Sequence, residues 1–267
     1  MEKKTLAIIG CGRLATLITD AYNNNLLSEF ELVATYSRSK EKAEYIAEKV
    51  NTGGRSESTC VPQASISDLL ALKPDYIIET ASPNALKSFA LDALKNGSSI
   101  VTLSMGAFAD KAFYEDVTKT AKQYGTRVHI ASGAIGGLDV LRTVSLMGPC
   151  EATFQTEKSP NSLRKSSVYE ESLQYEKKKV FEGNAVEAIA LFPTSVNVSV
   201  AASIASVGPE NMRVSITSTP EFIGDNHRIE IKNDQVHAVV DVYSATAQIA
   251  GWSIVNTLRN IVSPIVF

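Results

Sequence analysis

The sequence predicts an α/β protein of two domains: a doubly wound parallel sheet over residues 1–130, then a second open α/β domain over 131–244, with a closing helix at 245–262 that packs back on the first. Three observations predict it. The apolar run "TLAIIG" leads straight into the glycine-rich "GCGRLA" and an amphipathic stretch, the pattern of a buried strand feeding a helix. Similar apolar runs then alternate with helix-period segments as far as residue 130. Beyond 131 the texture changes to runs of period-two alternation, the sign of strands with one buried face. At 267 residues the chain can bury the cores of two unequal domains.

Taken in order, "TLAIIG" is the first strand and "RLATLITDAYNNN" the first helix. Between them Gly10, Gly12 and Ala15 form G-x-G-x-x-A. Gly10 allows a tight turn, Gly12 lets backbone approach a pyrophosphate, and Ala15 is small enough for helix to pack on strand. A helix start there, through Arg13 and Leu14, offers N–H groups to phosphate; the alternative is a glycine turn with no ligand. The second strand, "FELVATYSRS", ends where a ribose-reading residue belongs. No carboxylate stands there. Tyr36, Ser37, Arg38, Ser39 and Lys40 do, and hydroxyls beside a guanidinium suit a 2′-phosphate, which favours NADP over NAD. The alternative is that Arg38 and Lys40 only solvate the helix "SKEKAEYIAEKV".

A polar loop, "NTGGRSESTC", precedes a helix with Ser67 as N-cap and a strand from Asp75 to Thr80. "NALKSFALDALKNG" is a helix closed by Gly97, "SSIVTLS" a strand, and "YEDVTKTAKQYGTRVHIA" the last helix–strand pair of the domain. In such sheets ligands sit beyond the carboxyl ends of the strands, which gathers Gly10 to Ala15, Thr80 to Ser82 with Ala81, and Ser104 to Gly106 around one crevice. In the second domain the strand-like runs are "VSLMGPCEATFQTEKSP", "VSITSTPEF" and "NHRIEIKNDQVHAVVDVYS". Two helices lie between them: "NAVEAIALF", and "SVNVSVAASIASV" with Ser195 as N-cap and Gly208 as its stop.

The formal net charge of −3 offers no basic field for nucleic acid or an anionic membrane surface, so a small-molecule substrate is expected. No run approaches a membrane span, and the N-terminal apolar run is too short for a secretory signal. Cys11, Cys60 and Cys150 lie too far apart for a disulfide framework or a zinc site, which points to the cytoplasm and to no metal.

These residues carry a resemblance. "GCGRLA", "ETAS", "SMGAFAD", "SGAIGGLD", "FEGNAVEAIALFPTSVNVSVA" and "DNHRIEI" occur in this order over nearly the whole chain, and together they resemble the L-aspartate dehydrogenase family. The resemblance implies a Rossmann domain, an α/β catalytic and dimerisation domain, a homodimer, and NAD(P)-linked oxidation of an amino acid to its imine. It places cofactor contacts on Ala134 and Asn197 and the catalytic histidine on His227. It also favours "SGAIGG" as a floor on which a nicotinamide lies against backbone; the residues alone allow an interdomain turn equally well. The chain passes from "HAVVDVYS" directly to "ATAQIAG", without the "NPKTS"-like segment of the family, and "TEKSPNSL" matches the family's basic-proline segment loosely.

Oxidising an amine asks for a group that moves protons near neutral pH, and histidine is the first choice. His129 closes a strand and suits a core role, and His237 stands beside a turn. His227, between Asp225, Asn226 and Arg228, has the densest polar setting. A substrate carboxylate needs a fixed cation, for which Lys158, Arg164 and Arg228 are candidates, though strand alternation sends Arg228 to the face opposite His227. The rival readings are a related NADP-dependent imine or keto reductase acting on a different substrate and a non-catalytic NADP-binding sensor. A sugar- or biliverdin-type oxidoreductase is disfavoured, because "VTLSMGAFAD" lacks the Glu-Lys-Pro-like lysine.

Overall fold

The structure is a computed structural model and describes residues 3–193 and 196–267. The chain divides into two compact units: Met1–Ala107, Lys111–Ala131 and Ala250–Phe267 form the first, Phe108–Asp110 and Ser132–Ile249 the second. No helix among the described residues is long and apolar enough to cross a membrane.

In the first unit, β1 (Lys4–Ile9), α1 (Arg13–Asn23), β2 (Phe30–Tyr36), α2 (Lys40–Thr52), β3 (Val61–Pro62), α3 (Ile66–Ala71), β4 (Tyr76–Glu79), α4 (Pro83–Lys95), β5 (Ser99–Thr102), α5 (Lys111–Tyr124) and β6 (Val128–Ile130) alternate strand and helix. The strands pair in parallel in the order β3-β2-β1-β4-β5-β6, so the chain reverses its winding between β1 and β4. That reversal opens a crevice at the carboxyl ends of the central strands. Leu6 and Ile8 of β1, Ile18 and Tyr22 of α1, Ile46 of α2, Ile78 and Val101 form one core. Ile254, Val255 and Leu258, from the segment that rejoins this unit after residue 249, belong to the same core.

The second unit holds α6 (Leu138–Leu146), β7 (Glu151–Lys158), α7 (Pro160–Leu163), β8 (Lys178–Asn184), α8 (Ala185–Leu191), α9 (Asn197–Ile204), β9 (Arg213–Ser218), β10 (Asp225–Lys232) and β11 (His237–Ser244). The final helix, α10 (Gln248–Val262), begins here and ends in the first unit. The sheet order is β11-β10-β7-β9-β8, with β7 and β9 parallel and the other neighbours antiparallel. Alternation along β7 buries Ala152, Phe154, Thr156 and Lys158 on one face.

Several local expectations need correction. The helix after the polar loop is capped by Ser65, whose Oγ accepts from the Asp68 amide, and Ser67 lies inside it. Both serines precede the same apolar residues, and only the backbone decides between them. "VSLMGPC" is not strand: Val144 to Leu146 end α6, and the strand starts at Glu151. Strand β8 is not legible in the sequence, because Lys178 and Lys179 open it at the sheet's edge and hide its alternation. Ser195 lies outside the described residues.

Candidate functional site: a dinucleotide cleft and a buried polar rank

A cleft of about 460 Å³ opens at the carboxyl ends of β1, β2 and β4. Its lining includes Gly10, Gly12, Ser37, Arg38, Ala81 and Ser82. Gly10 has φ +100°, and a Cβ there would stand 2.6 Å from the Ala81 amide nitrogen, so the turn admits only glycine. Its carbonyl accepts from Thr80 Oγ1 at 2.7 Å, which ties the turn to the end of β4. Gly12 caps α1 without a side chain, and a Cβ there would meet nothing within 4 Å. The first turn of α1 therefore presents uncapped N–H groups beside open space, the arrangement that receives a pyrophosphate. Arg13, Leu14 and Ala15 supply that turn's backbone. Their side chains do not line the cleft: Ala15 is buried in the core and Leu14 lies against Gly251.

Under the cleft lies a carboxylate, Glu79, which opens the "ETAS" segment but whose role the sequence does not disclose. Glu79 is completely buried and accepts four hydrogen bonds: from the Ala81 and Ser82 amides, Ser104 Oγ and Thr102 Oγ1. Burial pushes its pKa up, against the pull of those donors. The carboxylate fixes the Ala81–Ser82 corner, and Ser82 then caps α4 by accepting from the Ala85 amide. Ser104 thus faces Glu79 and is not among the residues lining the cleft.

At the end of β2, Tyr36, Ser37 and Arg38 line the cleft. Lys40 does not. It pairs with Glu44 one turn along α2, while Ser39 caps that helix. Lys42 lines the cleft in its place. The signal is present in the sequence: with Ser39 as N-cap, Lys42 stands at the third helical position, four residues after Arg38.

In the second unit, Ala134 is half-buried and precedes Gly137, which caps α6 with φ +68°. A Cβ on Gly137 would stand 2.5 Å from Val240 Cγ2, so this glycine answers to packing as well as torsion. Asn197 is the first residue of α9 and is half-buried.

His227 sits on the buried face of β10. Register places residues in ranks across four strands. Val214, Phe154, Ile229 and Val240 form an apolar rank; Ile216, Thr156, His227 and Val242 form the next; Ser218, Lys158, Asp225 and Ser244 form a wholly polar one. Thr156, Lys158, Ser218 and His227 are 3, 4, 0 and 2 % exposed. Lys158 Nζ donates to Asp225 Oδ1 at 2.6 Å. Among the described residues Thr156 Oγ1, Ser218 Oγ, Ser244 Oγ and His227 Nδ1 have no hydrogen-bond partner, which is costly in a folded protein unless a ligand completes the set. The imidazole lies against Phe154, ring centroids 5.6 Å apart. Desolvation first, and then the Lys158 charge, push its pKa down to about 4, with Asp225 opposing.

The other candidates lie elsewhere. Arg228 is on the opposite face, paired with Asp241 at 3.2 Å, and Arg164 rests over the Tyr169 ring. His129 packs near Tyr76 in the first unit, and exposed His237 meets Glu230 at 2.9 Å.

Comparison with known proteins matches residues 10–131 to the family model "Homoserine dehydrogenase, NAD binding domain" and residues 139–261 to "Aspartate dehydrogenase, C-terminal". The L-aspartate dehydrogenase of Methanococcus maripaludis (strain C6) is 32% identical over 271 residues, 97% of each chain. The chain belongs to the L-aspartate dehydrogenase family. The family's Methanosarcina mazei enzyme is 30% identical over 97% of both chains. The crystal structure of the aspartate dehydrogenase from Thermotoga maritima superposes with a TM-score of 0.76 at 28% identity, covering all of both chains. An amine dehydrogenase from Mycobacterium smegmatis, 10% identical with a TM-score of 0.59, shares the fold.

Proposed function

We propose that the protein is an NAD(P)-dependent L-aspartate dehydrogenase, converting L-aspartate to iminoaspartate and then to oxaloacetate and ammonia. The observation that carries this reading is the polar end of the second unit's buried sheet face, where His227 and Lys158 lie in adjacent ranks and both are buried, in a chain aligned over 97% of its length with a relative of that name. A nicotinamide dinucleotide, when bound, supplies the hydride acceptor. Gly10, Gly12 and the first turn of α1 would hold its pyrophosphate, and Ser37, Arg38 and Lys42 the ribose end, which favours NADP.

The chain's own residues supply binding and proton transfer. The substrate ammonium must lose a proton before the Cα–H bond can give up hydride and the C=N bond can form. A second proton leaves the water that adds to the imine carbon, and ammonia departs as the carbonyl forms. His227 is neutral at physiological pH and so has a lone pair to accept a proton, and a negatively charged substrate beside it would raise its pKa from about 4 towards the range where proton transfer is efficient. Phe154 fixes the plane of the ring, and burial among Ile216, Ile229 and Val242 keeps bulk water away. The test is turnover per folded molecule with L-aspartate and oxidised cofactor. His227→Ala is expected to lower kcat by about 10²- to 10⁴-fold while leaving cofactor binding intact. Activity within a few-fold of the parent would remove His227 from the mechanism, and a parent that prefers another amino acid would remove aspartate.

A further inference from the structure

Taking a carboxylate out of water is costly unless its lone pairs are filled, and at Glu79 the groups that fill them are all neutral. The Ala81 and Ser82 amides donate to Oε1 at 2.8 and 2.9 Å, and Ser104 Oγ donates to the same oxygen at 2.9 Å. Thr102 Oγ1 donates to Oε2 at 2.5 Å and itself accepts from the Ser104 amide at 2.9 Å. An amide side chain, with a single acceptor oxygen, could not receive this set. Two of the donors come from the corner after β4, and two from the end of β5 and the turn that follows it. On the other side of that corner, Thr80 Oγ1 donates to the Gly10 carbonyl, and the Ala81 amide lies where a Cβ on Gly10 would collide with it. One span therefore crosses the carboxyl ends of β1, β4 and β5, with Glu79 as the joint between the last two. A polar network whose members are all paired is stiff.

The span matters because of where it lies. Ser37, Arg38 and Lys42 line the cleft beyond β2, and the uncapped first turn of α1 follows β1. A dinucleotide that sets its adenosine half and its pyrophosphate there continues, in the sheet order β2-β1-β4-β5, towards the ends of β4 and β5. Those are the two strand ends that Glu79 ties together.

We propose that Glu79 is the positioning residue for the nicotinamide half of the cofactor: by holding the Ala81–Ser82 corner and the Ser104 turn at a fixed separation, it makes the ends of β4 and β5 one rigid support. This rests on the reading of the cleft as a dinucleotide site. Glu79 is wholly buried and acts through those two backbone segments.

The test uses the full chain and two ligand pairs in titration calorimetry: NADPH against 2′-phospho-ADP-ribose, and NADH against ADP-ribose. The members of a pair differ by the nicotinamide ring, so the ratio of their dissociation constants reports what the ring contributes, and either choice of dinucleotide gives a result. Glu79→Leu should weaken the dinucleotide about 10-fold and leave its ring-free counterpart within about twofold, a split that a residue serving only stability would not produce. Glu79→Gln keeps one acceptor oxygen for the two amides and should lose only about threefold. Thr102→Val and Ser104→Ala cut the β5 side alone and should show the same split, and Ser104→Ala should cost less in the Glu79→Leu background than in the parent. A melting temperature accompanies each variant, and where Glu79→Leu does not fold, the Thr102 and Ser104 variants carry the same test. Equal losses for a dinucleotide and its ring-free counterpart overturn the proposal, as do unchanged affinities in folded variants or a parent whose affinity the ring does not raise. A parent that binds neither pair ends the reading of the cleft and this proposal with it. One that binds a dinucleotide with the expected split but does not turn over L-aspartate keeps the role of Glu79 and loses the substrate.

Discussion

A histidine that is neutral in the folded state and free to protonate in the unfolded one makes the protein labile to acid, and the size of that effect follows from the environment of His227. Its ordinary pKa is 6.5 and its folded value is about 4, chiefly through desolvation at 2 % exposure. Between those values the unfolded chain binds a proton that the folded chain refuses, so stability is fully present above about pH 6.5 and is lost as the pH falls towards 4. Every tenfold loss of proton affinity on folding corresponds to about 1.4 kcal/mol, so the whole penalty is about 3 kcal/mol, and the part reached between about pH 7 and pH 5 is about 2 kcal/mol. His227→Gln removes the titration while keeping a polar side chain of similar size. Urea unfolding of the cofactor-free protein, followed by circular dichroism at several pH values, should show the parent losing about 2 kcal/mol more than the variant over that interval. Taking the difference cancels Glu79, whose raised pKa works in the opposite direction. Parallel stability curves for the two proteins would refute the account of His227 as a desolvated neutral imidazole.

Cofactor choice is checked at the other unit: Arg38→Ala and Lys42→Ala should each raise KM for NADPH about 10-fold and change that for NADH little, and a parent binding NADH more tightly than NADPH would reverse the assignment. Assembly is checked by light scattering: two-fold pairing through the second unit predicts a dimer at micromolar concentration, and a monomer there would count against it.

The alternation of the first unit is legible because a strand buried on both faces is apolar throughout, as "TLAIIG" is, and because glycine at position 10 has no substitute once β1 must turn beneath Ala81. Less legible is anything decided across the sheet. Lys158, Arg164 and Arg228 look alike along the chain, and only the register of β7 against β9 and β10 shows that one of the three is buried among hydroxyls. The role of Glu79, the first residue of "ETAS", escapes notice for a related reason. A glutamate at the end of a strand reads as a surface charge until the hydroxyls of Thr102 and Ser104, from the next strand and its following turn, converge on it. Lys40 and Lys42 differ by two residues, and a helix start at Ser39 sends one out to Glu44 and the other to the cleft.

The core that joins Ile254, Val255 and Leu258 to Leu6 and Ile18 also bears on how the chain is made. A ribosome delivers residues 4–131 first, then every strand of the other unit, and only afterwards the helix that fills the gap beside α1. Throughout that interval the nascent dinucleotide-binding half carries an open apolar groove, the kind of surface that chaperones hold and that aggregation exploits. The intervening unit has its whole sheet in hand and can fold while the first waits. Closure of the groove by α10 is then a late event in synthesis, so a message truncated before residue 250 yields a chain whose larger unit lacks part of its core and is exposed to proteolysis.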